Sequence, residues 1–181
     1  MVRILATQDF QDLVTAHGLD FFDVGGSMET VTQSMEDVIE QGSFLKILLS
    51  MQLDRVVSKV AGSGLVACHG SDLIIAGLGG LFVGLALSEK LGIPFVQAHL
   101  TPFTPTREFP SALMPLPETR LPSWANRLSH RLTQQMMWQM FRAADNKARI
   151  QVLQMAPAPF WGPFASLHRQ KQTILYGYSP Q

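Results

Sequence analysis

The amino-acid sequence predicts an α/β fold, a parallel sheet flanked by helices, and three observations carry that prediction. The first is the stretch from Asp72 to Pro110. It holds an apolar run (Leu73-Ile74-Ile75-Ala76), a glycine turn (Gly77-Leu78-Gly79-Gly80), a helical stretch to Leu91, a second apolar run (Ile93-Pro94-Phe95-Val96-Gln97) and a loop rich in proline and threonine. That order is one parallel βαβ unit, whose helix crosses over between two strands buried on both faces. The second observation is an N-terminal stretch that again reads strand, helix, strand. The third is composition: 181 residues, 46% apolar and 15% charged, supply the core of one domain spanning 1–181.

The elements follow in order. A strand runs from Val2 to Thr7, a short helix from Asp9 to His17 with Gly18 as its C-cap, and a strand from Leu19 to Val24. Gly25-Gly26-Ser27 makes a turn, after which Ser27 and Thr30 open a helix toward Gln41, with Gly42-Ser43 as a break. A further helix covers Phe44 to Val60. Phe44, Ile47, Leu48, Met51, Val56 and Val60 fall on its buried face, Lys46, Asp54 and Lys59 face solvent, and Gly62-Ser63-Gly64 ends it. After the central unit, Pro102 to Pro122 holds six prolines, which excludes helix and central strand and leaves an extended loop. From Ser123, a plausible N-cap, to about Ile150 the pattern is helical. Trp124, Leu128, Leu132, Met136, Met140, Ala144 and Ala148 form a stripe at intervals of four, with Met137 and Phe141 beside it. A stripe of that kind reads as core packing. Arg127, Arg131, Arg142, Lys147 and Arg149, balanced only by Asp145, open a second reading, a lid or membrane-surface helix. Thr173 to Tyr178 forms a last strand.

Charge and cysteine content exclude some functions. Fourteen basic and fourteen acidic residues give no net charge, so the broad electrostatic footprint of a nucleic-acid binder is missing. Cys68 is the single cysteine, which argues for a reducing compartment. The longest apolar run, Leu73 to Leu87, is too short for a membrane span, and no signal-peptide core is visible between Arg3 and Asp9. The expected setting is cytoplasmic, with membrane contact limited to the surface.

Ligands in open parallel sheets bind at the carboxyl ends of the strands, so the candidate site comprises Gly77, Leu78 and Gly79 together with the segment from His99 to Thr106 and Phe109. His99, Thr101, Thr104 and Thr106 offer an imidazole and hydroxyls for the polar end of a ligand, and Phe103 and Phe109 offer apolar walls. His99 has an equally good reading as a satisfied structural histidine. Gly77-Leu78-Gly79 invites a dinucleotide, but the third glycine of G-x-G-x-x-G would fall at Phe82, and Gln97 stands where the ribose-binding acid belongs. Tight packing of the helix through Gly77, Gly80 and Gly84 explains the same residues. His69 beside Cys68 has no second pair at metal-ligand spacing, so no metal site is expected. His17, His130 and His168 read as surface or helix-end residues. No nucleophile elbow, Walker loop or zinc-protease motif occurs, so residue chemistry shows a binding face and no complete catalytic set.

Five segments, in their order and spacing, then carry a resemblance: Ile4 to Phe10; His17 to Gly26; the unit Asp72 to Pro94; the loop His99 to Pro110; and the closing Leu175-Tyr176-Gly177-Tyr178-Ser179-Pro180. Together they resemble the N-terminal domain of sterol glucosyltransferases and related antibiotic and UDP-glycosyltransferases. The resemblance implies a Rossmann-like fold, the acceptor half of a two-domain GT-B enzyme. Such an enzyme moves a sugar from a UDP-glucose-type donor to a hydroxyl of a lipophilic acceptor with inversion, and needs no further cofactor. It also implies a C-terminal domain that holds most of the nucleotide sugar. In the family a first strand precedes the one at Val2, and its loop carries a Gly-Asp or Gly-His step with the general base. That strand is absent here, so no catalytic residue is assigned and no turnover is expected of this chain alone. The family's first strand lies mid-sheet, between the strand at Val2 to Thr7 and that at Leu73 to Ala76. Its absence predicts two open sheet edges and self-association, as in a fragment or in a chain that relies on a partner. The alternative functional reading is a non-catalytic Rossmann-like binding or dimerisation module, and a further one is an NAD-dependent oxidoreductase.

Overall fold

Strand β1 (Arg3–Ala6) and strand β2 (Asp20–Asp23) pair in parallel with Arg3 opposite Asp20 and Ala6 opposite Asp23, joined by a short 3-10 turn and helix α1 (Gln11–Ala16). The structure, a computed structural model, describes residues 1–25, 53–114, 121–169 and 172–177. The expected helix from Ser27 to Gln41, the start of the next helix from Phe44, part of the proline loop and the chain end from Tyr178 lie outside the described residues, as does the side chain of His168.

Helix α2 (Leu53–Ala67) leads to strand β3 (Ile74–Ala76), helix α3 (Leu81–Leu91) and strand β4 (Phe95–His99). Helix α4 (Ser123–Gln151), helix α5 (Phe164–Arg169) and strand β5 (Ile174–Tyr176) follow. Strands β3, β4 and β5 form a second parallel sheet, with Ile74 opposite Phe95 and His99 opposite Tyr176. The architecture is therefore the expected α/β Rossmann-like arrangement of parallel strands flanked by helices, consistent with the N-terminal half of a GT-B fold. Among the described residues the strands divide into two sheets, β1-β2 and β3-β4-β5.

Helix α2 packs on β1 and β2 on one side and on α3 and α4 on the other. The Arg3 guanidinium from β1 donates to the carbonyls of Ala67 and His69, both at 2.7 Å, a cation on the free carbonyls at the helix's end. The core is built from Val57, Ala61, Leu81, Phe82, Leu87, Phe95, Trp138 and Leu153, with the Phe82 and Trp138 rings 5.1 Å apart. Close approach explains the glycine of α3: a Cβ on Gly84 would meet the Phe95 ring at 2.6 Å. Gly92 ends the helix in the left-handed region at φ 67, where a side chain is strained.

The structure corrects several expectations. Gly62-Ser63-Gly64 does not end α2, which continues to Ala67. A Cβ on Gly64 would sit 2.5 Å from Leu87, so the glycine lets two helices touch, and that packing outweighs its low helix propensity. Of the expected buried face, Val56 is 43% exposed, Val60 packs partly on the core beside the buried Leu53, Val57, Ala61 and Gly64, and Phe44, Ile47, Leu48 and Met51 lie outside the described residues. The β3 strand is not buried on both faces, since Leu73 and Ile75 are 44% and 57% exposed. The stripe of α4 is also only partly core: Trp124, Leu128, Leu132 and Met136 are exposed, whereas Ala144 and Ala148 are buried. An interval of four residues overshoots the helical turn of about 3.6, so the stripe winds around the helix and leaves the buried face. Over the first half of the helix the residues that face inward are Asn126, Ser129, His130, Thr133 and Gln134, which makes His130 a buried residue and not a surface one.

Candidate functional site

The carboxyl ends of β3, β4 and β5 converge. Gly77 follows β3 in an extended conformation, so close to β4 that a Cβ there would lie 3.0 Å from the Ala98 carbonyl. Gly177 after β5 donates its amide to the His99 carbonyl at 2.9 Å. Leu78 begins the 3-10 turn into α3 and packs partly on the core, while Gly79 faces open space. Phe82, at the position where a dinucleotide site needs its third glycine, is a core residue.

His99 is buried, and its ring lies 5.1 Å from Phe103 and 6.1 Å from Tyr176. A chain of amides fixes its tautomer. Gln172 donates to the Phe95 carbonyl, Gln97 donates to Oε1 of Gln172 at 2.9 Å, and Gln97 accepts through Oε1 from Nε2–H of His99 at 3.0 Å. Nδ1 therefore carries the lone pair, and that atom is buried without a hydrogen-bond partner among the described residues. Burial holds the imidazole below its ordinary value of 6.5, so the ring is neutral.

The loop after His99 carries the remaining predicted residues. Leu100 and Thr101 stand in solvent, whereas Phe103 is buried with its ring 5.9 Å from that of Phe164. The Thr104 amide donates to Oη of Tyr176 at 2.9 Å, and the Thr104 and Tyr176 hydroxyls are also hydrogen-bonded to each other. Thr106 turns back on its own loop and accepts from the Glu108 amide, and Phe109 is 42% exposed. The structure thus gathers His99, Phe103 and Thr104 around the ends of β4 and β5. It leaves Thr101, Gly79 and Phe109 exposed, and Thr106 is engaged by the loop itself.

The polar face of α4, which the apolar stripe concealed, fastens this loop. Gln134 donates to the Phe103 carbonyl at 3.1 Å, His130 to that of Phe109 at 3.1 Å and Asn126 to that of Arg107 at 3.0 Å, and Ser129 accepts from the Ser111 amide at 2.8 Å. Asn126, Ser129, His130, Thr133 and Gln134 recur at intervals of one, three and four, which is the period of a helix face. That pattern was the available signal. Behind the loop a cavity of about 180 Å³ lies between Gln97, Phe103, Thr104 and Gln134.

A larger cavity of about 510 Å³ opens away from the strand ends, between α3, α4 and the segment 156–167. Asp145 and Arg149 line it. Arg149 is buried and ties Glu89 at 2.7 Å and the Ala156 carbonyl at 3.0 Å, while burial pushes the Asp145 carboxyl up to about 6. The described residues contain no cluster of His, Cys, Asp and Glu fit to hold a metal ion.

No protein-family model matches the chain. Among curated proteins it is similar to the sterol 3-beta-glucosyltransferase of Candida albicans, 29% identical over 184 residues that cover 99% of this chain and 11% of that protein. The sterol 3-beta-glucosyltransferase of Debaryomyces hansenii is 27% identical over 99% of this chain and 11% of its own length. That of Penicillium rubens is 25% identical over 98% and 12% respectively. The chain is distantly similar to glycosyltransferases over almost its whole length. It spans about a ninth of the length of the curated relatives it matches. This similarity supports a GT-B-like Rossmann arrangement and a general relation to glycosyltransferases.

Proposed function

We propose that this chain forms the acceptor-binding half of an inverting glycosyltransferase that moves a sugar from a UDP-glucose-type donor to a hydroxyl of a lipophilic acceptor such as a sterol. The observation that carries the reading is the match to sterol 3-beta-glucosyltransferases across 99% of the chain. The loop after β4 supports it: exposed Leu100 and Phe109 and the exposed Thr101 hydroxyl on one loop suit a molecule with an apolar body and one hydroxyl. The cavity of about 180 Å³ behind the loop is smaller than the roughly 300–1,000 Å³ of ordinary small-molecule sites. In this reading the acceptor lies across this loop, and the wall opposite, the base and the nucleotide site come from sequence outside these residues. His99 does not serve as the base, because Nδ1 is buried and its Nε2 proton is held by Gln97.

Titration of the purified chain with a fluorescent sterol tests the reading. Saturable binding is expected, weakened about tenfold by Phe109→Ala, together with no glucose transfer from UDP-glucose. Sterol binding that is absent or non-saturable contradicts the acceptor role, and transfer by this chain alone contradicts the placing of the base outside these residues.

A further inference from the structure

Two of the three tryptophans stand on the surface, Trp124 at 69% and Trp161 at 71% exposure, although tryptophan is among the side chains most buried on average. Trp124 begins an exposed apolar ribbon on α4 that continues through Leu128, Leu132 and Met136. Beside the ribbon, Arg107, Arg127 and Arg131 line an open groove with Ser123, Trp124 and Leu128, and among the described residues no carboxylate lines it. None of these arginines makes an ion pair among the described residues.

The Trp161 ring lies 5.1 Å from that of Phe160, which is held against α4. Gln139 and Trp138 donate to the Phe160 carbonyl at 2.8 and 2.9 Å, and the Arg142 guanidinium lies 5.0 Å above the Phe160 ring. Arg142 stands about five turns along the helix from Trp124 and therefore on the same side of it. Phe160 is thus held against α4 on the side of Trp124, from which the ribbon winds away toward Met136.

We propose that this flank of α4 docks on an anionic lipid bilayer. Tryptophan, phenylalanine and leucine side chains enter the boundary between headgroups and acyl chains, and Arg107, Arg127 and Arg131 receive lipid phosphates. A helix that sets aromatic and aliphatic residues beside unpaired arginines matches the chemistry of the bilayer interface on both counts. Charge complementarity favours the occupant: three cations line the groove with no carboxylate among the described lining residues, which suits a phosphate-bearing surface better than a second copy of a chain with no net charge. The contact is superficial, since no helix among the described residues is long and apolar enough to cross a membrane. Arg107 sits in the loop that carries Phe109, so docking brings that loop toward the lipid.

Co-sedimentation of the chain with vesicles of phosphatidylcholine, with and without phosphatidylserine and free of sterol, tests the proposal without reference to what the loop binds. Partitioning should rise with phosphatidylserine and fall with salt. Each arginine at an anionic surface contributes about a fivefold factor, so the triple variant R107Q/R127Q/R131Q should bind about a hundredfold more weakly. The triple lysine variant at the same positions should retain binding, and W124A and W161A should each weaken it at any salt. No association at low salt, or association unchanged in the glutamine variant, overturns the proposal. If the glutamine variant alters the oligomeric state by light scattering and leaves vesicle binding intact, the flank is a protein interface and the proposal fails.

Discussion

Nε2–H of His99 donates to Oε1 of Gln97 at 3.0 Å, which fixes one tautomer and leaves Nδ1 buried with no partner among the described residues. A proton added at Nδ1 finds no acceptor and places a charge beneath Phe103. The unfolded chain protonates near 6.5, whereas the folded one resists, so it is the unfolded state that gains protons first as pH falls. The contribution of His99 to stability is complete above 6.5 and is lost as pH drops through that value toward the lower folded one. Urea unfolding at about pH 7 and about pH 5 should show this loss in the native chain and not in His99→Phe. Equal slopes in both proteins would contradict it.

Asp145 acts in the opposite sense. Its carboxyl is raised from 3.8 to about 6, chiefly by burial, with Glu89 adding to the shift and Arg149 opposing it. The neutral form is favoured in the folded chain, so stability is greatest below 3.8 and declines as pH rises through about 6. Asp145→Asn removes a cost of up to about 3 kcal/mol at neutral pH. The variant should unfold at higher urea than the native chain at about pH 8, and the difference should shrink at about pH 4. A destabilised variant at the higher pH would mean that Asp145 is needed as a carboxylate.

The glycines of the central unit separate packing from ligand binding. Gly84→Ala drives a methyl group into the Phe95 ring, where 2.6 Å is available, and should cost about 1–3 kcal/mol. Gly79→Ala meets nothing within 4 Å and should leave stability almost unchanged. Thermal unfolding of the two variants checks the pair. A Gly84→Ala protein as stable as the native chain would remove the packing account of that glycine.

Strand β3 is an edge of its sheet among the described residues, and with Ile75 at 57% exposure it predicts self-association of the chain. Light scattering across a concentration series should show a mass that rises with concentration. Ile75→Lys should lower it, because a charge on an open strand opposes pairing with another copy. A monomer at every concentration would contradict this.

Local chemistry made the strands and short helices legible. The apolar runs of β1 to β4 and the left-handed Gly18 after α1 each carry their own signal, and the structure shifts the strand ends by only a residue or two. What the sequence concealed depends on contacts across the chain. Gly64 reads as a helix stop until Leu87 lies against it. His130 reads as exposed until the Phe109 carbonyl gives its Nε2–H a partner. The stripe from Trp124 to Ala148 misled for a geometric reason, since steps of four precess around an α-helix. At the site, the convergence of His99, Phe103 and Thr104 followed from position at a strand end. The burial of His99 depends on Phe103 and Tyr176 and on the amides of Gln97 and Gln172, one of them 75 residues away in sequence from Gln97.

The most direct test of the acceptor role is a backbone amide NMR titration of the chain with a sterol. The account predicts saturable shifts clustered at Gly77, Gly79, Thr101, Thr104 and Phe109, with NAD producing none there. Shifts confined to the cavity around Asp145 and Arg149, or saturable shifts at Gly77 and Gly79 on addition of NAD and none with sterol, would contradict it.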